Sequence, residues 1–115
     1  MSWLTTTPAP AEAPAALVAR QGAEVIIRHS NTDTHLPWVI WHALTAATRA
    51  GALDHLDAEW TVWSSSGGRS RRDGGDVVLA YGYLSGREAR LPVDVWQAVA
   101  VAIRAGRMDQ LPHAS

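Results

Sequence analysis

An α+β fold built on an antiparallel sheet is predicted for this chain by three features of its sequence. Glu24–His29 (Glu-Val-Ile-Ile-Arg-His) and Asp76–Leu84 are rich in β-branched and aromatic residues and are bounded by glycine and polar turns, as strands are. Leu36–Leu56 and Leu91–Leu111 each place apolar residues at helical spacing. Aligned without a gap, those two segments share 10 of 21 residues: Leu, Pro, Trp, three Ala, Arg, Gly, Asp and Leu. Such self-similarity points to a repeated structural unit. Gly22–Ile27 is echoed by Gly74–Leu79, so the predicted units are about 22–56 and 74–111, each a strand, a loop and a helix. If Ser2–Thr7 is the counterpart of Glu59–Ser65, each unit is ββα. The expected architecture is one sheet of three to five strands with both helices on one face, related by a pseudo-twofold axis. A truncated ferredoxin-like β-α-β-β-α order is the alternative.

Residues 1–14, with Pro8, Pro10 and Pro14, read as an extended arm and linker, and residues 15–111 as a single domain. Ala15–Gln21 is expected to form about two helical turns before Gly22. After the first strand, Ser30–Thr34 is a polar loop, and Asp33 or Thr34 is placed to cap a helix with Pro37 in its first turn. Ile40, Trp41, Leu44, Ala47 and Thr48 form its apolar stripe, and Gly51 fits the left-handed position after its end. Glu59–Ser65 reads as a strand with Trp60 and Val62 on one face and Thr61 and Trp63 on the other. Ser66–Gly75 reads as a long glycine-rich turn. The strand Asp76–Leu84 follows, with Val77, Leu79, Tyr81 and Tyr83 on one face. Ser85–Glu88 is a turn, and Ala89–Leu91 a short edge strand. The second helix starts near Pro92, carries Val95, Trp96, Val99, Ala102 and Ile103 as its stripe, and ends at Gly106. Residues 112–115 are a tail.

Composition excludes several chemistries. With no cysteine there are no disulfides, thiolate nucleophiles or Cys-ligated zinc. All ten basic residues are arginine, so a phosphate-loop lysine and a Schiff-base lysine are both ruled out. A formal net charge of −1 provides no global field for polyanions. His29, His35 and His42, with Asp33, lack metal-ligand spacing, and Gly82-Tyr83-Leu84-Ser85-Gly86 misses the nucleophile-elbow pattern by one position. No cofactor or metal is expected. Neither a basic N-terminal region nor an apolar run long enough to span a bilayer is seen, so a soluble, cytoplasmic chain without membrane contact is expected.

Three groups of residues are candidates for binding. Arg69, Arg71 and Arg72 lie in the glycine-rich stretch and suit phosphate, carboxylate or a nucleic-acid backbone. Trp63, Tyr81 and Tyr83 would form a stacking platform if their sheet face is open. Trp38 and His42, one helical turn apart, sit where the two similar helices differ, being replaced by Val93 and Gln97, and would line a pocket. With no nucleophile–base pair, the expected role is a small non-enzymatic binding protein acting through protein–protein contacts, including homodimerisation. A nucleic-acid module using the arginines and the aromatic face is the alternative, and a ligand-binding protein or enzyme with a pocket near Trp38 and His42 is the third.

Overall fold

The computed structural model describes residues 4–5, 16–65, 67–82 and 87–111, with the backbone alone at 4–5 and 87. It is an α+β structure with two antiparallel four-stranded sheets and two helices. The first sheet holds β1 (Leu4–Thr5), β2 (Leu17–Gln21), β3 (Glu24–His29) and β4 (Thr32–Pro37), and leads into α1 (Trp38–Arg49). The second holds β5 (Thr61–Val62), β6 (Arg69–Asp73), β7 (Asp76–Tyr81) and β8 (Arg87–Pro92), and leads into α2 (Val93–Arg104). Each sheet is a meander whose strands pair in sequence order. There are thus two sheets rather than one, and the element order ββββα, given twice, is not β-α-β-β-α.

Four expected segments take a different form, three of them because strand pairing overrides a local signal. Ala15–Gln21 is not helical. Two helical turns are marginal on their own, whereas β2 pairs with β3 along its whole length, from Leu17 opposite Arg28 to Gln21 opposite Glu24. The Ser30–Thr34 loop shrinks to Ser30 and Asn31, both at positive φ (45° and 62°), the backbone of a tight two-residue hairpin. Asp33 and Thr34 therefore lie in β4 and cap nothing; Asp33 faces Arg28 at 2.7 Å. Most of the arginine-rich turn is strand β6, paired with β7, and the turn between these two strands is Gly74 and Gly75 alone. Glu59–Ser65 contributes just two strand residues, Thr61 and Val62. The edge strand expected at Ala89–Leu91 is present and longer, as β8.

The helices start without side-chain caps. Pro37 and Pro92 hold extended backbone at the two N-caps, and the first helical N–H groups are taken up by hairpin carbonyls. Trp38 N–H donates to the Ala23 carbonyl at 2.7 Å, and Val93 N–H to the Gly75 carbonyl at 2.8 Å. The sheet thus supplies what a Ser or Asp would otherwise have to. Gly51 and Gly106 take the left-handed conformation just beyond the two helices, as expected (φ +84° and +79°).

All ten residues of the two apolar stripes are buried. All but Thr48 join Val18, Val25, Ile27 and Leu36 from the first sheet and Val77, Leu79, Ala89 and Leu91 from the second in one continuous cluster. The helices pack on each other and on the strands of their own half, and β4 lies beside β8. Across the helix pair, Arg49 at the end of α1 pairs with Asp109, and Arg104 at the end of α2 pairs with Asp54. Each helix end is thereby tied to the segment that follows the other helix. No helix among the described residues is long and apolar enough to cross a membrane.

Candidate functional site

The segment after α1 crosses to the second half and leaves a cleft between itself and α2. Its volume is about 620 Å³, within the ordinary range for small-molecule sites. Val93, Trp96, Gln97, Ala100, Val101 and Arg104 of α2 form one wall, and Leu53–Leu56 the other. Val77 and Arg72 close it from the sheet, with Thr48 of α1 beside them. The cleft is amphipathic: Leu53, Leu56, Val77, Trp96 and Ala100 supply apolar surface, while Arg72, Arg104, Asp54, His55 and Gln97 supply polar groups.

The charges are not equivalent. Arg104 is held by Asp54 at 2.7 Å. Arg72 is placed by β6, where its backbone N–H donates to the Asp57 carbonyl at 2.6 Å. Its side-chain Nε is buried and, among the described residues, meets no hydrogen-bond acceptor. A buried N–H without an acceptor loses its hydration uncompensated, which leaves the outer N–H groups of Arg72 to meet a group in the cleft. The arrangement can hold an anionic oxygen at Arg72 with an apolar body against Trp96.

Of the three arginines grouped by sequence, only Arg72 faces this cleft. Alternation along β6 sends Arg69 and Arg71 to the opposite face, where their guanidinium groups lie 5.2 and 5.1 Å from the Trp60 ring centroid. Asp73 there accepts from Arg90 at 2.9 Å. That hydrogen bond, with the nearby charges of Arg90 and Arg71, holds the Asp73 carboxyl below its usual range. Trp63 and Tyr81 pack against the core. Trp63 also donates from Nε1 to Ser70 Oγ at 2.9 Å. Both rings are half-buried. Tyr83 lies outside the described residues.

Trp38 and His42 lie together on α1 (ring centroids 6.4 Å apart), with the Arg20 guanidinium 4.1 Å from the Trp38 ring. Neither lines the cleft, which uses Val93 and Gln97, the residues at the matching places of α2. The difference between the helices was readable from sequence; the cleft along α2 was not. Trp96, His55 and Arg104 carried no separate signal, because each reads as stripe, loop or helix-end residue.

Comparison with protein-family models, with curated proteins and with solved structures gave no match.

Proposed function

We propose that this protein is a small binding protein whose cleft along α2 takes an amphipathic anion. The observation that carries this reading is Arg72, whose guanidinium group lines an amphipathic cleft large enough for a small molecule and whose Nε has no acceptor among the described residues. Hydrogen bonds to charged groups contribute about 1.5–3 kcal/mol, so Arg72→Gln is expected to weaken binding roughly 10- to 100-fold. Ligand-observed NMR and calorimetry against a panel of carboxylates and phosphate monoesters test the reading. If no anion of the panel binds at millimolar concentration, it fails.

A second surface supports a protein contact, including one with another copy of the chain. Trp60 and Val62 are 40% and 69% exposed, with Arg69 and Arg71 beside the indole. Tryptophan and arginine are enriched at interface centres. Light scattering that shows a monomer at high concentration would count against self-association. Salt-dependent binding of DNA or RNA that is lost in Arg69→Ala/Arg71→Ala would assign the surface to nucleic acid instead.

A further inference from the structure

We infer that the ligand of the α2 cleft is a planar aromatic anion, and that Trp38 fills from within the chain the place in the first half that such a ligand takes in the second. The inference rests on the cleft being a ligand site and names the chemistry it selects.

The two halves can be superposed in register from their element bounds. β2 and β3 precede β6 and β7 by 52 residues, and β4 and α1 precede β8 and α2 by 55. Hydrogen bonds repeat at the same places: Trp38 N–H to Ala23 matches Val93 N–H to Gly75, and Ala52 N–H to Ala47 matches Arg107 N–H to Ala102. In this register Arg20 corresponds to Arg72, Gly22 to Gly74, Trp38 to Val93 and Trp41 to Trp96.

The corresponding arginines meet different surroundings. Arg20 donates from Nε to the Gly22 carbonyl at 3.0 Å and lies against the Trp38 indole. Its hydrogen-bonding and stacking needs are both met inside the chain. Arg72 has Gly74 in the same relation, yet its Nε finds no acceptor among the described residues. Where the first half has an indole, the second has the isopropyl group of Val93, and the cleft lies there. The empty place is therefore ring-shaped in its demands. It offers a guanidinium for stacking, the polar side chains of His55 and Gln97 for the anionic group, and the Trp96 wall beside them. An aromatic ring bearing a carboxylate or phosphate meets all three, because guanidinium groups attract aromatic faces most strongly when desolvated. An aliphatic anion meets only the second and third.

The test uses the full chain and three probes: 2-naphthoate, its saturated analogue decahydro-2-naphthoate, and 2-naphthyl phosphate. Affinities are measured by calorimetry, and the site by amide and arginine Nε–H chemical shifts. The aromatic probes are expected to bind at least about tenfold tighter than the saturated one, with the Arg72 Nε–H resonance moving. The two aromatic arms show which anionic group is preferred. Val93→Trp places an indole beside Arg72 as Trp38 stands beside Arg20; it is expected to abolish binding without lowering the melting temperature. Should Val93→Trp fail to fold, Arg72→Gln serves, and is expected to remove the aromatic preference. Equal affinity for the aromatic and saturated probes would overturn this inference while leaving the cleft as an anion site. Absence of binding by all three would overturn both.

Discussion

Gly68→Ala should destabilise the fold by about 1–3 kcal/mol, although it adds a single methyl group at a position whose backbone an alanine can adopt. A Cβ at Gly68 would stand 2.4, 2.5 and 2.8 Å from three carbons of the Trp63 ring. Carbon atoms rest about 3.5–4 Å apart, so the indole must move by about 1 Å or more. It has little freedom to do so. Its Nε1 donates to Ser70 Oγ at 2.9 Å, and Ser70 is completely buried. The Trp63 backbone N–H also donates to the Gly68 carbonyl at 2.9 Å. Moving the ring strands a buried hydroxyl, a cost of about 1–3 kcal/mol, and overpacking penalties fall in the same range. Loss of the whole ring contact, about 3–5 kcal/mol, is the ceiling. Urea unfolding of Gly68→Ala, Trp63→Ala and the double variant forms a cycle. With the ring removed, the alanine should cost less than about 0.5 kcal/mol, giving a coupling of about 1–3 kcal/mol. An equal cost in both backgrounds would refute the steric argument.

Other predictions follow from the same packing and charges. Trp41→Ala and Trp96→Ala, at rings 2% and 4% exposed, should each cost about 3–5 kcal/mol by thermal or denaturant unfolding; a loss below about 1 kcal/mol would remove either ring from the core. Asp73, with its lowered pKa, is stabilised by Arg90 in its ionised form. That contribution is present above the unfolded carboxyl pKa of about 3.9 and is lost as pH falls through the lower folded value. Carbon-detected titration should show the Asp73 midpoint rising in Arg90→Ala, with stability between pH 5 and 7 nearly flat for this group in either protein. The Arg104–Asp54 pair is solvent-exposed, so a double-mutant cycle should return about 0.2–1 kcal/mol, shrinking with added salt; a salt-insensitive coupling would contradict that picture.

The sequence by itself determined the helices, their stripes and the strands at β3 and β7, because each carries its own periodicity and terminators. Trp41 and Trp96 are legible as core from spacing alone, and Gly51 and Gly106 as helix ends. Tertiary structure decided β2, β4 and β6, whose residues carry no strand pattern of their own and are extended because a neighbouring strand offers a full ladder of partners. It also decided the site. Three arginines adjacent in sequence look alike, but strand pleating sends Arg69 and Arg71 to Trp60 and Arg72 to the cleft. The contrast of Trp38 with Val93 was visible in the chain, yet only packing shows that the larger residue fills its place and the smaller one leaves it open. Local sequence specifies what a residue can do; the neighbours brought from 50 residues away settle whether it is taken up by the fold or left facing a cleft.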